Sequence, residues 1–429
     1  MYSIGIDIGT TSICGVRMDC SSGAVEKTVS LPNDSELPSA HIWERLQDPK
    51  RIEEKVMELL DRLQLGRVAA IGLTGQMHGM LYLDRFGRAL SPLTTWQDQR
   101  GEQPYGETTY AAALGSMTGY GHVTHFYNQE NGLVPDTAEG FCTIHDYIAM
   151  LLCGFNRPVL HTSDAASFGL FDLKANRFQK NFPYEVTDHC RVLGTHKNIP
   201  VAVAIGDNQA SFLGSGSNTG TVLINVGTGS QISMIAPKQT VPLAPGIELR
   251  PFANGDRLMV GSSLCGGRAL AILHRFYCDI VEMAKGERPE SLYPQMDCLL
   301  EKTVESSLVV DTSFSGTRAD PSRRGSIMGI TTQNLTPGEL TLGLLEGTVR
   351  ELYELYESFG CSAIRLVGSG NGIRRSAALR RLFSKRFSLP MQIAVSSEEA
   401  ACGAALFAMV AAGILPSLDS AQSLIQYQV

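Results

Sequence analysis

The 429 residues exceed what one hydrophobic core usually organises, which points to two domains, and a 43% hydrophobic content is ordinary for a globular chain. A formal net charge of −7 with 18% charged residues, and no block of Lys or Arg, argues against a nucleic-acid or lipid-headgroup surface. Met1-Tyr2-Ser3-Ile4-Gly5-Ile6-Asp7 lacks the basic start of a signal peptide, and ten scattered cysteines form no C-x-x-C pair. The expectation is therefore a cytoplasmic protein with reduced thiols and no membrane association.

In chain order, the opening reads as a strand, a tight turn at Gly9-Thr10-Thr11-Ser12, and a second strand from Ile13 to Met18. A helix is predicted over Arg51–Gln64, because Ile52, Val56, Leu59, Leu60 and Leu63 share one face. Val68 to Leu73 reads as a buried strand running into Thr74-Gly75-Gln76-Met77-His78-Gly79. Residues 101–135 have weak periodicity and read as loops and short helices; His122 and His125 could share a helix face, but no third metal ligand lies nearby. A buried strand, Val201 to Ile205, ends at Gly206-Asp207-Asn208-Gln209, and another, Thr221 to Val226, leads into Gly227-Thr228-Gly229-Ser230.

Thr336-Pro337-Gly338-Glu339 predicts a helix start with Thr336 as cap, Pro337 in the first turn and Glu339 completing a capping box. Leu345, Val349, Leu352 and Tyr356 form its apolar stripe. Ile364 to Val367 is a predicted strand, followed by Gly368-Ser369-Gly370-Asn371-Gly372 and a basic helix from Arg374. The last helix is expected to start with Ser396 or Ser397 as cap, and Cys402 to Leu415 is too short for the roughly 20 residues of a membrane span. Strands alternating with helices indicate α/β architecture in both halves, with the boundary near 212–220.

Three constellations carry chemistry. A strand ending in Gly9-Thr10-Thr11-Ser12 presents amides and hydroxyls in a concave turn that accepts phosphate oxygens, and Asp7 just before it suits Mg²⁺. Alone this is as well read as an ordinary hairpin, but Gly227-Thr228 supplies a second such turn in the other half. Asp207, where a strand meets a helix, could accept a proton from an attacking hydroxyl or simply cap the helix. Gln76, His78, Trp96, Gln97, Asp98 and Arg100 offer the amide, carboxylate and indole groups that polyols need, or else two polar loops around a half-buried tryptophan.

Taken in order from Ile4-Gly-Ile-Asp-Ile-Gly-Thr-Thr-Ser12 to Glu398-Glu-Ala-Ala-Cys-Gly-Ala-Ala-Leu406, these motifs resemble the FGGY family of carbohydrate kinases. The resemblance implies two ribonuclease-H-like domains of the actin/Hsp70-type ATPase fold with the active site in a cleft between them. The expected division is 1–214, binding the sugar, and 215–429, binding the nucleotide. The implied reaction is transfer of phosphate from ATP, with Mg²⁺, to a sugar hydroxyl. Asp207 matches the family's catalytic base and, with Asn208, lies against the sugar; Asp7 matches the metal-linked acid. Gly9, Thr10, Thr11, Ser12, Gly227 and Thr228 match the phosphate loops, and Gly368, Gly370 and Asn371 the adenosine-side loop. Gln76-Met77-His78-Gly79 matches the sugar-binding stretch of xylulokinases, with Trp96 and Asp98 assigned to the same ligand. The Arg-Glu pair usual there in glycerol kinases is absent.

Within the family, Thr95-Trp96-Gln97-Asp98, Thr143-Ile-His-Asp-Tyr147, Leu152-Cys-Gly154 with Arg157-Pro158, Ser163-Asp-Ala-Ala-Ser167 and Gly206-Asp-Asn-Gln-Ala-Ser211 look most like the sedoheptulokinases, making a seven-carbon ketose the leading substrate. The chain departs from the pattern at Cys14, where many relatives carry lysine, and at Gly316-Thr317-Arg318, where relatives often have Gly-Glu-Arg. It is also shorter than many members. Competing readings are a kinase of another ketose or polyol, a non-catalytic sugar or nucleotide sensor on the same fold, and an ATPase acting on protein. The sequence leaves the sugar, the phosphorylated carbon and the oligomeric state open, a homodimer being one option.

Overall fold

Strand β1 (Tyr2–Ile8) turns at residues 9–11 into β2 (Ser12–Asp19), which pairs antiparallel with it, and β2 pairs antiparallel with β3 (Val25–Pro32). This computed structural model describes residues 1–64, 66–216, 218–238, 243–317, 320 and 322–428. Arg318 of the Gly316-Thr317-Arg318 motif and Ser217 of the expected boundary lie outside the described residues.

Helix α1 (Pro49–Leu63) starts where the Asp48 side chain accepts from the Lys50 amide and Pro49 fixes the first turn. Its Ile52, Val56, Leu59, Leu60 and Leu63 are all fully buried, each worth about 1.5–3 kcal/mol of burial free energy. The chain then enters β4 (Val68–Gly75), parallel to β1. Helices α2 (Ile144–Leu152) and α3 (Thr162–Ser167) precede β5 (Val192–His196), β6 (Ile199–Ala202) and the short β7 (Ile205–Gly206). The single strand expected over Val201 to Ile205 is thus two, interrupted at Val203 and Ala204. The sheet order is β5-β6-β4-β1-β2-β3, with β7 also on β4, and α4 (Asp207–Gly214) leaves from the end of β7.

The second sheet repeats this plan. Strand β8 (Thr221–Val226) forms a hairpin with β9 (Ser230–Ile235), and β10 (Ile247–Pro251) and β11 (Arg257–Ser263) extend it to an order β10-β11-β9-β8. After α5 (Gly266–Lys285) and α6 (Pro337–Glu357), strand β12 (Arg365–Ser369) pairs parallel on the other side of β8. Short α7 (Gly370–Arg375) and α8 (Ala377–Phe387) lead to β13 (Met391–Ile393), parallel to β12. In each sheet the first hairpin strand therefore pairs antiparallel on one side and parallel on the other; in the second sheet β11, rather than the next strand β10, lies beside β9. The short likeness of Ile6–Thr10 to Ile224–Thr228 marks the same hairpin in both.

Two capping expectations are corrected. Thr336 caps α6 by accepting from the Glu339 amide, but the Glu339 carboxylate accepts from the Ser307 amide and hydroxyl instead of turning back to close a box. The helix expected to be the last, α9 (Glu399–Ala411), has Glu398 rather than Ser396 or Ser397 at its N-cap position, and a short helix, Leu418–Gln422, follows it.

The chain forms two compact units: Met1–Gly216 with Arg250–Arg257 and Glu398–Gln426, and Ser217–Leu249 with Leu258–Ser397 and Tyr427–Val429. A single division at residue 215 misses the two returns of the chain to the first unit. The second return has a clear physical basis, because α9 lies flat on β1 and β4. Along β1 alternate residues face opposite ways. Ile4, Ile6 and Ile8 enter the core with α1, whereas Ser3, Gly5 and Asp7 face α9. Ser3 Oγ donates to the Ala405 carbonyl at 2.9 Å, and a methyl group on Gly5 would stand 1.8 Å from the Ala401 carbonyl oxygen. Only a strand position without a side chain lets the helix approach this closely. Among the described residues no helix is long and apolar enough to cross a membrane, and no disulfide links the ten cysteines.

Candidate active site

The step from Ser3 to Gly5 along β1 matches a turn of α9, from Ala405 to Ala401; one further step brings Asp7 to Glu398 at the helix start. The Asp7 carboxyl is pushed up to about 7, first by burial and then by the charges of Asp207 and Glu398. Its Oδ1 is out of reach of solvent and has no hydrogen-bond partner among the described residues. Directly across the hairpin from Asp7 stands Cys14, whose thiol donates to Ser30 Oγ at 3.1 Å and is pushed up to about 11, mainly by burial. Both charges acting on Asp7 are negative, and its buried Oδ1 is left without a partner among the described residues. Oxygen donors gathered this way fit a hard divalent cation such as Mg²⁺.

The Gly9-Thr10-Thr11 turn is held by its carbonyls and side chains. Gly9 O accepts from Asn33 Nδ2 and Thr10 O from Gln47 Nε2, both at 2.8 Å. Thr10 Oγ1 donates to Gln76 Oε1 at 3.2 Å and accepts from Trp96 Nε1 at 3.1 Å, while Gln76 Nε2 donates to Gln47 Oε1 at 2.8 Å. The amides of Gly9, Thr10 and Thr11 meet no acceptor among the described residues, as a phosphate nest requires. Ser12 opens β2.

This ring of bonds places the sequence-nominated groups unequally. Trp96 remains 46% exposed, so its indole face is open to a ligand, whereas Gln76 is 3% exposed with both ends of its amide engaged inside the protein. Gln76 sets the turn. Asp98 is fully buried, and its oxygens accept from Arg100 Nε at 2.7 Å, from an Arg100 terminal nitrogen at 3.1 Å and from the amides of Arg45 and Arg100. The expectation that Asp98 touches sugar is corrected in this structure: a saturated, buried carboxylate holds the Trp96 loop in place. Met77 is buried with its sulfur against Gly206. His78 adopts φ 72°, a left-handed conformation costly for a residue with a side chain. Its amide donates to Ser167 Oγ at 3.1 Å, its Nδ1 lies 2.8 Å from Ser167 O, and its ring stacks on Tyr120 at 4.3 Å. His122 and His125, by contrast, pack among Tyr82, Phe141, Phe178 and Phe182.

Asp207 opens α4, where the unpaired amides of a helix start favour a negative charge. Burial raises its pKa above the usual carboxylate range, partly opposed by the bond that Asn208 Nδ2 donates to Asp207 Oδ1 at 3.1 Å. Behind it lie groups that the sequence did not single out. Ser163 Oγ accepts from the amide of Gly206, the residue before Asp207, at 3.0 Å. Next to Ser163, Asp164 bonds His145 Nε2 at 2.9 Å, and with Asp146 these three fully buried side chains bring ligand-type atoms within 4.8 Å of one another. Burial drives both aspartates well above their ordinary range and His145 below its own. In the sequence both segments stand out only as family motifs, because spacing does not show that 145 and 164 converge.

In the second unit the Gly227-Thr228-Gly229 turn rests on the start of α5: Gly227 O and Thr228 O accept from the amides of Gly267 and Arg268, each at 2.9 Å. Gly370, at φ 80°, opens α7 where a Cβ would stand 2.7 Å from the Val226 carbonyl oxygen, so the two nucleotide-side loops expected from sequence are brought together. Asn371 is exposed beside it. Gly368 instead lies inside β12, where a Cβ would strike Ile373, Met391 and Ile393, so its role is packing.

The doubled sheet order and the acidic strand-end group define a ribonuclease-H-like enzyme of the actin/Hsp70-type ATPase fold. Residues 2–188 match the N-terminal and 222–412 the C-terminal domain of the FGGY family of carbohydrate kinases, and the chain belongs to that family. It is a carbohydrate kinase. It is 28% identical to the sedoheptulokinase of Homo sapiens and 26% identical to that of Mus musculus, in each case over 94% of this chain and 96% of the relative. The crystal structure of xylulose kinase from Rhodospirillum rubrum superposes with a TM-score of 0.84 at 23% identity, covering 100% of this chain and 93% of that one.

Proposed function

We propose that the chain transfers the γ-phosphoryl group of ATP to a hydroxyl of a ketose, with sedoheptulose the leading acceptor. The observation that carries the chemistry is the gathering of Asp7, Asp207 and Glu398 at one end of the first sheet, with Asp207 at a helix start and raised toward the range of a useful base. The Asp207 carboxylate takes the proton of the attacking hydroxyl as the new O–P bond forms and the bond from the γ-phosphorus to the bridging oxygen of ADP breaks. Amides of Gly9, Thr10 and Thr11 receive phosphate oxygens, and the Trp96 indole offers an apolar face to the sugar. Gly227, Thr228, Gly370 and Asn371 serve the nucleotide. Asp7, with Glu398, would hold Mg²⁺, which when bound supplies positive charge to the phosphate oxygens.

The choice of a seven-carbon sugar is supported by the two sedoheptulokinase relatives and by the Thr95–Asp98, Thr143–Tyr147 and Gly206–Ser211 segments. An ADP-release panel over sedoheptulose, xylulose, ribulose, gluconate and glycerol tests it. Sedoheptulose should give the highest kcat/KM, and glycerol as the best acceptor overturns the ranking. Asp207→Ala should abolish sugar-dependent ADP release with the fold intact; near-normal turnover in that variant removes the base assignment.

A further inference from the structure

We infer that Arg250, more than 40 positions away from Asp207 in the chain, is a positioning residue for that base, acting through the side-chain amide of Asn208. The inference rests on Asp207 being the base. Arg250 opens the segment Arg250–Arg257 that returns to the first unit. One of its terminal nitrogens donates to Asn208 Oδ1 at 2.9 Å, and Asn208 Nδ2 donates to Asp207 Oδ1 at 3.1 Å. An asparagine amide could be turned either way, but a guanidinium has only donors. Arg250 therefore requires the Asn208 oxygen on its side and leaves the NH₂ group facing the carboxylate. With Oδ1 of Asp207 so engaged, its orientation is fixed and Oδ2 is the oxygen left to take the proton.

The segment carrying Arg250 is seated by contacts independent of this relay. Gln209 Nε2 donates to Pro251 O at 2.8 Å, Phe252 packs edge-on against Phe212 at 5.6 Å, and the Asn254 amide donates to Asp188 O at 2.7 Å. Arg250 is thus delivered by a strand that is already anchored, and removing its charged head leaves those anchors in place. Asn208, nominated from sequence as a sugar contact, becomes a member of the base assembly.

The test is a double-mutant cycle on the full-length protein with Arg250→Met and Asn208→Ala, reading kcat and sugar KM separately, with Asp207→Asn and Arg250→Lys measured alongside. Each single variant should lower kcat by about ten-fold with sugar KM changed less than about three-fold, because a slack base misaligns the transfer without loosening the sugar. The double variant should be no slower than the slower single one, and Arg250→Lys, which keeps one donor, should recover most of the rate. Additive losses, a loss in KM alone, or a normal kcat in Arg250→Met overturn the relay. If Arg250→Met does not fold, a rate in Arg250→Lys as low as that of Asp207→Asn does the same. An active Asp207→Asn would instead remove the base reading itself, so the two failures are distinct.

Discussion

Replacing Asp7 with asparagine should stabilise the ligand-free protein at alkaline pH while eliminating sugar phosphorylation. The Asp7 carboxyl is raised from 3.8 to about 7 by burial and by Asp207 and Glu398. For a group whose folded pKa lies above its unfolded one, the stabilising contribution is fully present below the unfolded value. It is lost as pH rises through the folded value, here between 3.8 and about 7. A difference of about three units corresponds to a ceiling of ~4 kcal/mol. Asp7 keeps some accessible surface, and solvent screening brings the expectation down to about 2 kcal/mol. Asparagine has the same shape and no charge to bury. In urea unfolding with EDTA, Asp7→Asn should exceed wild type by about that amount at pH 8.5 and match it within ~1 kcal/mol at pH 4. Added MgCl₂ should raise wild-type stability and leave the variant unmoved. A variant weaker than wild type at both pH values, or a gap independent of pH, would refute the reasoning.

Three further outcomes follow from the packing and the charges. Gly5→Ala places a methyl 1.8 Å from Ala401 O and 2.6 Å from Ala405 N, backbone atoms that cannot rotate aside. It should cost about 2–4 kcal/mol, and a thermal midpoint within about a degree of wild type contradicts the close approach of α9. Arg100→Met leaves Asp98 buried without its counter-ion and should lower unfolding free energy by about 3–5 kcal/mol; a loss below about 1 kcal/mol means the pair is not needed to hold the Trp96 loop. Glu398→Gln should raise the Mg²⁺ concentration for half-maximal turnover by about ten-fold at unchanged sugar KM, whereas an unaltered Mg²⁺ dependence excludes Glu398 from the metal site.

What could be read in advance was local. The α1 stripe, the two glycine-threonine turns and the strand-to-helix step at Asp207 each depend on residues a few positions apart, and periodicity and turn chemistry report those well. The failures involve partners distant in sequence. Thr336 caps α6 as its type demands, yet Glu339 bonds Ser307, 32 positions away. Gln76 and Asp98 have the right chemistry for a polyol, but Gln47, Thr10, Arg45 and Arg100 occupy their polar atoms. The boundary at residue 215 follows composition, and composition carries no sign that α9 returns to cover Gly5 and Gly72.

The position of Cys14 joins these local and distant effects. Register alone sets it opposite Asp7, and the packing of α9 adds Glu398 to the same face. A lysine there would supply a cation from within the chain. The cysteine supplies none, since burial keeps its thiol protonated well beyond neutral pH and it donates a hydrogen bond to Ser30. Position 14 therefore contributes no positive charge beside Asp7. On the proposed function a divalent cation at Asp7, together with the turn amides, would supply that charge, and removing metal and neutralising Asp7 should then act on the same term.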